Sequence, residues 1–94
     1  RGAARMIKFH YHRARRAIPR LGIEVGDPLC HVYSDASREE LEAWGVEHGL
    51  RPEWIHKGTL PHFDAFGERL AACGPGVTGR EFGGDIRDWR ARAR

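Results

Sequence analysis

Histidine and aspartate recur along this chain at short spacings. His10 and His12 stand at i, i+2, His62 and Asp64 repeat that spacing, and His31 and Asp35 flank the end of a short apolar segment. Residues at i, i+2 on a strand point to the same face, so His10 and His12 can chelate one divalent metal ion. Neutral imidazole is the commonest metal ligand in proteins. Two to four such groups around an ion lower the pKa of a bound water and polarise a phosphoryl or carbonyl oxygen. Without a metal, a histidine backed by aspartate serves as general base or acid, the carboxylate fixing the tautomer. Ser34 adjoins Asp35, but no nucleophile-elbow pattern surrounds it.

Each of these residues also has a plain structural role open to it. Asp64 can be a helix N-cap. Ser34 and Asp35 can form an Asx or Ser turn ahead of Ser37. His10 and His12 can lie solvated on an edge strand, and His56 can be half-buried and satisfied. His48 suits the C-terminal end of a helix.

The elements that must position these groups are legible from periodicity. Ile7, Phe9 and Tyr11 alternate with Lys8, His10 and His12, a period of two that predicts a strand over 6–12. Residues 13–20 read as a loop or one helical turn, Leu21, Ile23 and Val25 alternate again, and Gly26-Asp27-Pro28 is a turn. Residues 30–33 read as a second short strand. Ser37 followed by Glu40 has the capping-box spacing, and Gly49 stops the helix, which predicts a helix over 37–48. Residues 54–56 read as a strand, Asp64 as the start of a helix over 64–73, and 77–78 as a last short strand. Phe82, Ile86 and Trp89 share one stripe on a helix over 83–92. This order predicts a small single-domain α/β fold, with a mixed or parallel sheet and about three helices. Strand ends in a parallel sheet converge on one edge, and His12, Asp35, His56, His62 and Asp64 all fall at or just after such ends. Trp44, Trp54 and Trp89 are expected in the core.

Length and charge bound the remaining possibilities. Ninety-four residues make one domain with a small core, which also makes a homodimer an expectation, since dimerisation buries more surface. Residues 1–5 read as a disordered or non-native end, with Met6 a natural start. Residues 1–20 carry seven basic groups and no acid, within a net charge of +3, so a basic arm can contact phosphates or nucleic acid. No apolar run reaches the length of a membrane span and no apolar leader follows the basic start, so no membrane association is expected. Cys30 and Cys73 are too few for a disulfide scaffold, and a cytoplasmic setting with reduced thiols is the expectation. Neither zinc-finger spacing nor a Gly-rich phosphate loop occurs.

Three blocks resemble the bacterial and phage domain-of-unknown-function family 4031, over roughly residues 30–94. They are His31-Val32-Tyr33-Ser34-Asp35 with Glu39-Glu40-Leu41 and Gly49-Leu50-Arg51; then Trp54-Ile55-His56 with His62-Phe63-Asp64; then Val77-Thr78-Gly79-Arg80-Glu81. The chain departs from that family's pattern at Glu68-Arg69, where a Lys-Arg pair is usual. It departs again at His10-Tyr11-His12, where the family's strand tends to end in paired Asp. The resemblance implies a small α/β fold and the positions of a site, and carries no reaction with it. It favours His31 and His62, each of which sits in a matched block.

The leading functional expectation is metal-assisted hydrolysis of a phosphate-bearing or otherwise anionic substrate. His31, Asp35, His62 and Asp64 are the expected catalytic groups, around one pocket. His12, His31, His62 and Asp64 are the expected ligands of a divalent metal ion. Arg13, Arg16 and Arg69 are expected to hold the anion, a small molecule or nucleic acid. The alternatives are a non-catalytic nucleic-acid or protein binding module using the basic N-terminal arm, and a metal-free acid/base enzyme acting on a small molecule.

Overall fold

The period of two at the start of the chain is a strand. The computed structural model describes residues 6–92, so the expectation for residues 1–5 lies outside the described residues. Strand β1 (Ile7–Arg13) pairs antiparallel with β2 (Pro28–Ser34), placing Lys8 opposite Tyr33 and His10 opposite His31. Strand β3 (Phe63–Ala65) pairs antiparallel on the other side of β2, placing Asp64 opposite His31. The sheet order is β1-β2-β3.

The fold is mixed α/β, but the sheet is antiparallel where a parallel one was among the expectations. A parallel connection needs a crossover of a dozen or more residues that returns the chain in the same direction. Between β1 and β2 the chain instead doubles back. Ala14 N–H donates to Asp27 O (2.9 Å), Gly26 N–H donates to Ala14 O (2.8 Å), and Ile18 bridges Ile23 around the 3-10 turn Pro19–Leu21. Between β2 and β3 a helix does intervene, but a bridge between His56 and His62 adds one more reversal.

Helix α1 (Arg38–Glu47) begins where its cap predicts: the Ser37 hydroxyl accepts from Glu40 N–H at 3.2 Å. It ends in a Schellman turn. Gly49 sits at φ 76°, a left-handed conformation that glycine adopts without steric penalty. Leu50 N–H donates to Gly45 O (2.7 Å), and Gly49 N–H donates to Val46 O (3.3 Å).

Helix α2 (Gly79–Arg92) starts four residues before the predicted 83. Thr78 caps it, its hydroxyl accepting from Glu81 N–H at 3.0 Å, so Val77-Thr78 is a helix entry and not a strand. Gly83 and Gly84 lower helix propensity locally. Tertiary contacts on either side of them override it: Glu81 pairs with Lys8, Phe82 stacks on His10, and Asp85 accepts from Tyr33.

Two further expectations are corrected. No helix starts at Asp64. It lies mid-strand in β3, because Phe63 and Ala65 alternate into the core on either side of it, and only 3-10 turns follow at Gly67–Ala72. Residues 54–56 are not a strand. Pro52 opens a 3-10 turn, Pro52–Trp54, and only His56 bridges to the sheet side.

The sheet therefore has two unlike faces. Phe9, Cys30, Val32, Phe63 and Ala65 pack on Leu41 and Trp44 of α1, with Leu50 and Ile55 closing the core. Of the three tryptophans only Trp44 joins it. Trp54 is 46% exposed beneath the Arg51 and Arg69 guanidiniums, and Trp89 donates from Nε1 to Ser34 O at 2.8 Å. The opposite face carries Lys8, His10, His12, His31, Tyr33 and Asp64, and α2 lies over part of it. Among the described residues no helix is long and apolar enough to cross a membrane.

Both cysteines are free. Cys30 is fully buried, and burial pushes its thiol up to about 12. The thiolate is the reactive form, so Cys30 should resist a thiol reagent in the native protein. Titration in denaturant without reductant is expected to count two thiols. In native buffer at pH 8, Cys30 is expected to react only as fast as the core opens. A count of zero in denaturant would contradict the free pair.

Candidate metal centre

Antiparallel register, and not strand ends, assembles the polar groups. His10 and His31 face each other across β1 and β2, and His31 and Asp64 across β2 and β3. Alternation then puts His12 on the same face as His10. The His56–His62 bridge brings two more imidazoles to the edge of β3, their rings stacked at 5.1 Å.

Asp64 is the hub. His31 Nδ1 lies 2.9 Å from its Oδ1, His56 Nε2 lies 3.0 Å from its Oδ2, and His62 Nε2 lies 3.5 Å from its Oδ1. The His31 ring stacks on His12 at 4.0 Å and meets His62 edge-on at 4.8 Å. Further along, the His10 ring stacks on Phe82 at 3.9 Å and lies 5.8 Å from His31. Two sets of donor atoms result, His12 with His31 and Asp64, and His56 with His62 and Asp64. Within each set every donor atom lies within 4.8 Å of the others.

Hydrogen bonding leaves this face incompletely satisfied. His10 Nδ1 and His12 Nε2 are buried without a hydrogen-bond partner among the described residues. Such groups are rare and cost about 1–3 kcal/mol each. His62 is more specific. A carbonyl oxygen only accepts, so the 2.9 Å contact with Leu60 O fixes the proton on His62 Nδ1. In the neutral ring Nε2 then turns a lone pair toward Asp64 Oδ1, so acceptor faces acceptor. Burial lowers the pKa of His62 and favours that neutral form.

Burial likewise lowers His10 and His12, with the nearby His31 adding to it. At Asp64 burial acts upward, but the His31 hydrogen bond and the charges of His62, His56 and His31 outweigh it, and its pKa is lowered.

These directions set a pH dependence for the metal-free protein. Histidines with folded pKa values below the unfolded 6.5 bind fewer protons when folded, so stability falls as pH drops below 6.5. The lowered Asp64 contributes stability above its unfolded pKa, and that part is lost only as pH falls further, through its folded value. In a chelator-treated sample the melting temperature is expected to be several degrees lower at pH 5.5 than at 7.5. A flat profile over that range would show that the three histidines are solvated.

Asp35 does not join the cluster. It lies at the other end of the same face, where Lys8 Nζ contacts Asp35 Oδ2 (3.1 Å), Glu81 Oε2 (2.9 Å) and Asp85 Oδ2 (3.0 Å). Burial works against the Lys8 charge, but these hydrogen bonds overcome it and raise its pKa. Tyr33 donates to Asp85 at 2.7 Å. This second network was not anticipated, although Lys8 precedes His10 by two residues and so had to share its face.

The structure separates the three expected anion-binding arginines. Arg13 and Arg16 line an open groove of about 690 Å³ together with His12 and His31, and Arg13 is steadied by donating to Gly26 O at 2.9 Å. Arg69 lines a different groove, with Trp44 and His48. A smaller hollow of about 210 Å³ lies between His31, His62, Lys57 and Phe82. His48 has a structural role, bonding through Nδ1 to Trp44 O at 2.8 Å. Phe82 and Lys57 are neighbours that the sequence does not announce, and His56, expected among the converging groups but not among the ligands, joins the cluster.

No family model matches the chain, and no solved structure matches it significantly. A stretch of 34 residues is 50% identical to part of a protein of Bacillus subtilis (strain 168) called Uncharacterized protein YneQ. That match spans 35% of this chain and 34% of the Bacillus protein.

Proposed function

We propose that the histidine-bearing face is a divalent-metal site and that the protein is a hydrolase of phosphate-bearing or other anionic substrates. The observation that carries this reading is the gathering of His12, His31 and Asp64 donor atoms within 4.8 Å. Metal–ligand bonds of about 2.0–2.1 Å at angles of 90–109° put donor atoms about 2.9–3.4 Å apart. The separations of 2.9 and 3.0 Å at Asp64 fall in that range, and the 3.5 Å to His62 lies just above it. A cation also removes the conflict between the His62 lone pair and Asp64, and satisfies a nitrogen such as His12 Nε2.

The chemistry follows from the donors. A divalent ion held by His12, His31 and Asp64 would lower the pKa of a bound water and polarise a phosphoryl oxygen of the substrate. Arg13 and Arg16, lining the groove beside His12 and His31, bind the anion and orient it. Lys57 extends the positive lining on the His62 side.

The test begins with protein purified without a histidine tag. Elemental analysis is expected to find a first-row divalent metal, and calorimetric titration of the stripped protein with Zn²⁺ is expected to show binding that His31→Ala weakens. Hydrolysis of p-nitrophenyl phosphate should stop on chelation and return with metal. Turnover that is indifferent to chelator would instead favour a metal-free acid/base mechanism.

A further inference from the structure

The two donor sets are not separate, because they meet at one carboxylate. Asp64 presents Oδ1 to His31 at 2.9 Å and Oδ2 to His56 at 3.0 Å, so the nearest imidazole of each oxygen belongs to a different set, while His62 Nε2 lies 3.5 Å from Oδ1. A carboxylate placed in this way can bridge two ions. We infer that the centre takes two divalent ions bridged by Asp64, one on His12 and His31 and the other on His56 and His62, and that its substrate is a phosphate ester. This inference rests on the metal-site reading above and specifies its stoichiometry and substrate class.

Charge favours one substrate class. Four of the five donor residues are imidazoles, neutral when they ligate, and Asp64 supplies the only formal negative charge among them. Two dications on such a set leave a large positive excess, which favours a hydroxide and an anionic substrate. A neutral ester or amide offers no such charge. A phosphate ester offers nonbridging oxygens that can span ions about 3.5–4 Å apart, the separation usual in two-metal sites. Basic side chains flank both halves: Arg13 and Arg16 beside His12, and Lys57 beside His62.

The reaction balances with water alone. A bound water gives a proton to solvent, and its oxygen forms a bond to phosphorus. The ester P–O bond breaks, and the departing oxygen takes a proton from solvent. The products are an alcohol and a phosphate.

The experiment is equilibrium dialysis of the full stripped chain against Zn²⁺, with metal and protein both quantified. Two ions per chain are expected. His56→Ala is expected to bind one, and so is His12→Ala. His56 is exposed at 56% of its side chain, so its variant tests the stoichiometry even if His12→Ala fails to fold. In the Zn²⁺-loaded protein, p-nitrophenyl phosphate or bis(p-nitrophenyl) phosphate should be hydrolysed at least tenfold faster than p-nitrophenyl acetate. One ion on the unaltered chain would overturn the bridged pair and leave the single-metal reading standing, whereas none would remove both. Two ions still bound by His56→Ala would overturn the ligand assignment. Preference for the acetate would overturn the substrate class.

Discussion

Asp64→Ala is expected to abolish divalent-ion binding at both halves of the centre. It is the only residue shared by the two donor sets, and it supplies their only carboxylate. Removing a mere outer-shell partner of a metal ligand costs about 10–100-fold in affinity, so loss of the shared donor should cost well over 100-fold. Asp64→Asn keeps the shape but removes the charge, and should lie close to the alanine variant. Titration calorimetry with Zn²⁺ measures this directly. Asp35→Ala is the control: it also removes an acid from this side of the sheet, but from the Lys8 network, and Zn²⁺ affinity should stay within about twofold. Metal-free Asp64→Ala should still fold, because Asp64 is one-third exposed and its loss breaks only imidazole contacts. Zn²⁺ binding by Asp64→Ala as tight as that of the parent protein would sink the assignment.

How far this arrangement can be read from the sequence differs by kind of signal. Local signals carry well. The alternation of Ile7 to His12 predicts a strand with His10 and His12 on one face, and Ser37 and Gly49 mark the two ends of α1. The direction of the sheet does not carry, because it depends on counting reversals, and the one at His56–His62 is a single bridged pair inside a short loop. Asp64 is ambiguous for a physical reason. An aspartate ahead of a helical stripe looks like a cap, and only the burial of Phe63 and Ala65 shows that the backbone there is extended. The Lys8–Asp85 contact spans 77 residues, so nothing local announces it, whereas the separation of Asp35 from His31 follows from β2 itself, since four residues of extended chain span about 13 Å.

The second large effect is on stability, and it begins one residue from the hub. Phe63→Ala is expected to destabilise the protein by about 3–5 kcal/mol, the usual result of emptying a buried phenylalanine site. Phe63 is 1% exposed, and its ring lies between Trp44, 6.3 Å away, and the backbone of α1 at Gly45. For a domain of this size such a loss lowers the melting temperature by roughly 15–30 °C. The same contact can be tested from the other side. A Cβ on Gly45 would stand 2.6 Å from Phe63 Cζ and 2.8 Å from Cε2, closer than real carbons approach. Gly45→Ala gains about 0.5–1 kcal/mol of backbone entropy and loses about 1–3 kcal/mol to overpacking, so it should destabilise, though less than Phe63→Ala. Combined, the two should not add. With the ring gone, the new methyl enters the cavity, and Gly45→Ala should become neutral or stabilising, a coupling of about 1–3 kcal/mol. Strict additivity in chemical denaturation would mean that the two residues do not touch. The contact also bears on the centre. β3 is only three residues long, and the seating of Phe63 on one face holds Asp64 opposite His31 on the other. Phe63→Ala should therefore weaken Zn²⁺ binding with every ligand still present, and excess Zn²⁺ should recover part of the lost melting temperature, since an ion bound only by the folded state stabilises it by mass action.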